Sequence, residues 1–359
     1  RRLDLRPGGM ATASACPFDP VGWAMALLRP LVRIACRLPV FGGLVETLVY
    51  VFLPVLLEAD AGPAGSGGAC STKEGSNSCR DAPGETGSCC PPTAWPKLEA
   101  DATRDPLGEV ISLGANLSGY VVEPPGGNFD KACIVVYDVF GMTGGRIRTI
   151  CDAIAAEGFL VIMPDVFGNE DGIDHHGGLA NIAGDECVAW LQSHSWDTVS
   201  PKILECVNYA ASRGVRAANA TLAPPFNENR IGILGFCWGA WVAAKASATG
   251  AVRCGVHAHP AWKIGPWIHG EKVEDIAAKV RVPALLMPAS DDPDEFRDGT
   301  YARIIETKNG VSVKTVDFPR MRHGFIPRGS PDNAEVMEDV RLALKESAAF
   351  LNEYMPEGM

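Results

Sequence analysis

Residues 230–239 read RIGILGFCWG. Arg230 to Gly235 is a short apolar run of the kind that forms a buried strand. It leads into Gly235-Phe236-Cys237-Trp238-Gly239, and a small-residue helical stretch, Ala240 to Ala248, follows at once. Glycines two positions either side of a cysteine, between a strand and a helix, have a physical meaning. A nucleophile on a sharp, strained turn projects above the edge of a sheet. Glycines at those two positions let the strand and helix backbones pass close to each other. The N–H of the next residue, Trp238, then points into the site as an oxyanion donor. The helix start also favours negative charge on the Cys237 sulfur. Read without chemistry, the same residues are a buried cysteine in a Gly-flanked turn.

Working outward, Ala132 to Tyr137 (ACIVVY) and Phe159 to Met163 (FLVIM) are further strand runs, as are Val252 to Ala258, Ala284 to Met287 and Val311 to Phe318. Helical patterns separate them: one ends at Glu157, another spans Ile203 to Arg213, and Ala334 to Tyr354 closes the chain as a long amphipathic helix. Continuous apolar strands alternating with helices predict an α/β fold, with a mostly parallel, doubly wound sheet flanked by helices. Residues 101–359 suffice for one such domain.

Two downstream features extend the elbow reading. Asp291 and Asp292 follow the strand at Ala284 to Met287, and His323 follows the strand at Val311 to Phe318. Both fall just past the C-terminal end of a strand, where such sheets build their sites. Nucleophile, acid and histidine in that chain order is the order of the α/β hydrolases. His323 is then the base for Cys237, and an Asp fixes its tautomer. Asp292 is preferred to Asp291, although a doubled Asp also suits a plain loop cap.

GFCWG (235–239), DDPD (291–294) and MRHGF (321–325) together resemble the dienelactone hydrolase family over roughly residues 105–355. The resemblance implies an α/β-hydrolase fold, a Cys237-His323-Asp292 triad and hydrolysis of enol-lactones or other esters, with no cofactor and no metal. It also implies that Val139 N–H is the second oxyanion donor. At Tyr137-Asp138-Val139-Phe140-Gly141 the family carries a Glu that contacts the resting Cys; here the acid is Asp138, one methylene shorter. A carboxylate beside a thiol raises its pKa, so Asp138 is a modulator of Cys237 or a cap for the following turn. Bacterial members grip a substrate carboxylate with Arg. No Arg or Lys stands between Gly168 and Ser200; Asp171, Asp174, His175, His176, Trp190 and Trp196 do. Arg322 and Arg328 flank His323 and offer a cation that pairs with carboxylates bidentately. A small anionic lactone and an apolar ester both stay open. His257 and His259 end the Val252 to Ala258 strand, which puts His259 near the pocket beside Trp190 as a substrate contact. His175 and His176 have no third ligand at a metal spacing.

The first hundred residues differ in texture. Of 359 residues, 47% are hydrophobic and 21% charged, with a net charge of -11. The acidic balance excludes nucleic acid as a partner. Residues 1–57 run the other way, with six Arg against Asp4, Asp19 and Glu46. Arg29, Arg33 and Arg37 recur every four residues, and Leu38 to Leu57 carries only Glu46 as a charge. Residues 21–57 are therefore a membrane-associated segment, a cleaved organelle-targeting segment, or a helical hairpin packed on the main domain. Location follows from that choice, with the cytoplasm as the default without it. Residues 58–100 are a Gly/Ser/Pro/Cys-rich linker that cannot bury a core. Cys70, Cys79, Cys89 and Cys90 lie in it at spacings that suit loosely oxidised thiols better than a metal cluster.

The sequence thus predicts a monomeric cysteine hydrolase acting on a small ester or lactone. The rival reading is a non-catalytic binding protein that retains the fold.

Overall fold

A computed structural model describes residues 90–99, 105–114, 116–168, 172–217 and 229–356. Residues 21–57, with their membrane and targeting readings, lie outside the described residues. No helix among the described residues is long and apolar enough to cross a membrane.

The strands are β1 (Glu109–Ser112), β2 (Ser118–Val122), β3 (Ala132–Val136), β4 (Leu160–Pro164), β5 (Ile231–Phe236), β6 (Gly255–Ala258), β7 (Ala284–Met287) and β8 (Val313–Thr315). They form one sheet in the order β1-β2-β4-β3-β5-β6-β7-β8. β1 and β2 are antiparallel to their neighbours, and the other pairings are parallel. β3 to β7 are buried at every position, whereas β1 and β8 are largely exposed. That contrast explains which strands the sequence announced. Central strands covered on both faces must be apolar throughout. Edge strands face water on one side and carry polar residues, as in β1. The run Val311 to Phe318 accordingly pairs only over β8, plus one bridge from Phe318 to Ala289.

The α-helices are α1 (Ile147–Ala155), α2 (Asp185–Ser193), α3 (Trp196–Ser212), α4 (Trp238–Ser247), α5 (Val273–Lys279), α6 (Asp294–Arg297), α7 (Thr300–Asn309), α8 (Phe325–Arg328) and α9 (Ala334–Tyr354). α3 starts before the Ile203 that the sequence suggested and carries Pro201 inside it. A proline there forfeits a backbone donor, and packing of Val199, Ile203 and Cys206 holds the helix together across it. α9 has the predicted limits. Asn333 caps it by accepting from the N–H of Glu335 and Val336, and Val336, Val340, Ala343 and Leu351 form its buried face.

The register positions the site. Val136 pairs with Gly235, Gly235 with His257, and His257 with Leu286. The chain therefore leaves β3, β5, β6 and β7 along one sheet edge, at Asp138, Cys237, His259 and Ala289. A surface depression of about 690 Å³, lined by Gly127, Asp130, Lys131 and Arg213, lies at the other end of β3. It brings no nucleophile and base together.

Candidate active site

Cys237 sits between β5 and α4 with φ +54°. Among the described residues, only Cys237 and His259 combine a side chain with a positive φ. Such a backbone costs on the order of 1–3 kcal/mol and persists only where its surroundings fix it. Here they do. Cys237 N–H donates to Ala258 O at 3.1 Å, and Cys237 O accepts from the N–H of Ala240 at 3.0 Å and Ala261 at 3.2 Å. Both elbow glycines are required sterically. A Cβ on Gly239 would collide with Val136 O, and one on Gly235 with Gly239 O. α4 is buried around nearly its whole circumference, with Trp238 and Trp241 fully enclosed.

His323 and Asp292 meet from two loops. His323 Nδ1 and Asp292 Oδ1 are 2.6 Å apart, and both side chains are buried. Asp292 Oδ2 accepts Ala289 N–H at 2.7 Å, which orients the carboxylate before the ring engages it. Asp291 acts on the main chain instead, its Oδ1 accepting the backbone N–H of His323 at 2.6 Å. The doubled Asp thus holds both the ring and the main chain of one histidine. Burial works against a charged His323, but Asp292, Cys90 and the bonds they make outweigh it and push the ring up to about 10. A ring nitrogen of His323 and the sulfurs of Cys237 and Cys90 lie within 4.8 Å of one another. Three buried donors of these types are also a set that could hold a soft metal ion.

His259 packs edge-on against His323, with ring centroids 5.0 Å apart. Among the described residues, both its ring nitrogens are buried without a hydrogen-bond partner. Burial, with His323 and Arg328 adding to it, holds His259 well below the usual histidine range. It therefore stands neutral beside the His323–Asp292 pair. His257 turns away from the sheet edge, with Nδ1 3.2 Å from Ala240 O and its ring against Trp262.

Asp138 is buried, and its Oδ2 lies 2.9 Å from Arg328 Nε, while Oδ1 accepts Phe140 N–H at 3.0 Å. It caps the turn and pairs with a cation. Burial raises its carboxyl despite the opposing pull of Arg328. Arg328 is enclosed, lies over the Phe140 ring and donates to Trp95 O. Arg322 is exposed and lies 4.6 Å over the Trp95 ring. Val139 is buried at the β3 turn, with its carbonyl accepting Ile173 N–H at 2.7 Å. Trp190 belongs to an aromatic cluster reaching the elbow through Phe167, which lies 4.8 Å from Trp190 and 5.0 Å from Trp238. His175 is exposed, and His176 stacks on Trp190.

Sequence reasoning did not find residues 90–98 here. Cys90 Sγ lies 3.3 Å from Cys237 Sγ. Thr93 Oγ1 donates to Asp291 Oδ2 at 2.6 Å, and Trp95 N–H donates to His323 O at 2.9 Å. The expected linker therefore ends in a stretch seated on the site. One signal was present: Trp95 is the first large aromatic after the Gly/Ser/Pro-rich run.

A strained nucleophile elbow on a mostly parallel sheet, with an acid and a histidine following in order, defines an α/β hydrolase. Residues 117–355 match the dienelactone hydrolase family, and the chain belongs to that family of ester and lactone hydrolases. It is 26% identical over 275 residues to a Mus musculus carboxymethylenebutenolidase homolog, covering 74% of this chain and 97% of that protein. A Xenopus tropicalis carboxymethylenebutenolidase homolog is 25% identical over 265 residues, covering 69% and 95%. Among solved structures, a putative dienelactone hydrolase from Klebsiella pneumoniae superposes with a TM-score of 0.53 at 20% identity, covering 69% of this chain and 98% of that one. That likeness is one of fold.

Proposed function

We propose that this hydrolase works through a cysteine nucleophile, with Cys237, His323 and Asp292 as its triad. Cys237 Sγ attacks the carbonyl carbon of an ester or lactone. The N–H groups of Trp238 and Val139 stabilise the oxyanion. His323, holding the proton taken from Cys237, passes it to the leaving alkoxide, then draws one from the water that attacks the thioester; the C–S bond breaks, the acid departs and the Cys237 sulfur is restored. Asp292 keeps the ring oriented and offsets its charge. The observation that carries this reading is His323 itself: Nδ1 is committed to Asp292 at 2.6 Å, and a ring nitrogen lies within 4.8 Å of Cys237 Sγ.

The substrate we infer is uncharged, with an apolar acyl group. Arg328 is engaged by Asp138 and Trp95, and Arg322 by the Trp95 ring. Neither is positioned in advance for a substrate carboxylate, and the aromatic cluster beside the elbow favours an apolar acyl group.

Turnover of p-nitrophenyl acetate and of a panel of neutral and carboxylate-bearing lactones tests both parts. Cys237→Ala is expected to abolish turnover of every member while the protein stays folded. Iodoacetamide is expected to alkylate Cys237 far faster than Cys133, Cys151 or Cys254. Retained turnover in Cys237→Ala, or equal labelling of the four thiols, refutes the triad. A preference for the charged lactones refutes the substrate class.

A further inference from the structure

Residues 90–98 hold a second sulfur in front of the first. Cys90 Sγ stands 3.3 Å from Cys237 Sγ, and Cys237 is fully enclosed. That is about the separation at which a carbonyl carbon poised for attack would stand. Cys90 therefore stands at reaction distance from the Cys237 sulfur. The stretch is held to the residues that flank the reaction. Trp95 N–H bonds to His323 O, Arg328 donates to Trp95 O, Thr93 bonds to Asp291, and Arg322 covers the Trp95 ring. Further along, Leu98 O accepts Gly145 N–H at 2.8 Å. A thiol kept at that distance from a nucleophilic sulfur by contacts of its own is suited to react with it.

We propose that Cys90 and Cys237 form a reversible disulfide, with Cys90 as the resolving thiol and a hydroperoxide as oxidant. When the stretch lifts, the Cys237 thiolate attacks one oxygen of hydrogen peroxide. The O–O bond breaks, Cys237 becomes a sulfenic acid, and the departing hydroxide takes a proton and leaves as water. As the stretch returns, the Cys90 sulfur attacks the Cys237 sulfur. The S–O bond breaks, the S–S bond forms, and the second oxygen leaves as water with the Cys90 proton. Two thiols lose two electrons and two hydrogens, and the peroxide is reduced to two waters. The closed form is inactive, and it protects Cys237 from irreversible oxidation to the sulfinic acid. A dithiol reductant reopens it. The loss of activity rests on Cys237 being the nucleophile; the disulfide itself does not.

The test uses the full chain, reduced, desalted and exposed to hydrogen peroxide. The intact mass is expected to fall by two hydrogens. Digestion with trypsin without reduction is expected to join the peptide of residues 81–97 to that of residues 231–245. Esterase activity is expected to fall in step and to return with dithiothreitol. Cys89→Ser is expected to behave as the parent, because the bond is made by Cys90. In Cys90→Ser, excess peroxide is expected to carry Cys237 on to the sulfinic acid, read as two added oxygens on the peptide of residues 231–245, and that fraction does not recover with dithiothreitol. A missing cross-link, a cross-link through Cys89, or a Cys90→Ser protein whose Cys237 is over-oxidised no more than the parent's at the same peroxide dose overturns the proposal. So does inhibition relieved by EDTA but not by dithiothreitol, which would assign Cys90, Cys237 and His323 to a metal. A cross-link that forms with activity unchanged leaves the disulfide standing and refutes Cys237 as the nucleophile.

Discussion

The two cysteines that meet in this site arrive by different routes. Cys237 comes off β5 into α4, with its main chain bonded to Ala258, Ala240 and Ala261. Cys90 arrives on a stretch without helix or strand, held by a handful of contacts to Asp291, Arg322, His323 and Arg328. The first is fixed by regular structure packed on both sides, so it opens only with the fold. The second is fixed by contacts that can be undone one at a time, and local opening is cheapest where few apolar contacts must break. One site thus combines a cysteine held by regular structure with a second held by a few local contacts.

The largest effect expected from breaking the rigid side is Gly239→Ala. The added Cβ meets the Val136 carbonyl, a backbone atom in the central strand that cannot step aside. Loss of more than about 4 kcal/mol is expected, seen as loss of soluble protein or of a cooperative urea transition. The contrast predicts that Ala substitutions in residues 91–98 leave that transition nearly unmoved.

Next is Asp292→Asn, which keeps the shape of the side chain and removes its charge. A fall in kcat of roughly 10³-fold or more is expected, with KM little changed. Asp291→Asn, whose partners are the His323 main chain and Thr93, is expected to cost far less. Equal losses in the two would erase the distinction between ring and main-chain support.

Acid should act on the rigid side. Burial lowers His257 to about 4, and His259 is lowered in the same direction. Below its ordinary value of 6.5, the unfolded chain takes up a proton at His257 that the folded chain refuses. Stability from this group is therefore complete above about pH 6.5 and declines as pH falls towards 4, by about 3 kcal/mol. Urea midpoints measured between about pH 7 and pH 4.5 check it, and His257→Gln is expected to flatten the curve.

The smallest effect belongs to the stretch that carries Cys90. Trp95→Ala removes the contact with Arg322, worth on the order of 0.5–1 kcal/mol. If covered and open forms exchange, kcat/KM is expected to rise about two- to fivefold. An unchanged or lower value would mean that residues 90–98 help to build the site and do not merely close it.

Read alone, the chain exposed what is local. The spacing GFCWG requires a strand before it and a helix after it. Runs such as ACIVVY and ALLM demand burial on both faces, and the periodicity of residues 334–354 fixes the closing helix. The same reading picked out Asp292 and His323, because residues just past strand ends gather at one edge of a parallel sheet. β1 and β2 were not announced, since strands near a wet edge need no continuous apolar run. The separate roles of Asp291 and Asp292 were not legible either, because adjacent carboxylates differ only in which way their loop turns them. Cys90 was beyond reach for a related reason. It lies 147 residues from Cys237, inside a composition that promises no core. Short-range spacing determined the elbow, the order of the functional residues and the sheet. What stands beside Cys237 was decided by a few long-range contacts to Asp291, His323 and Arg328, whose geometry exists only once the sheet has brought those residues to one edge.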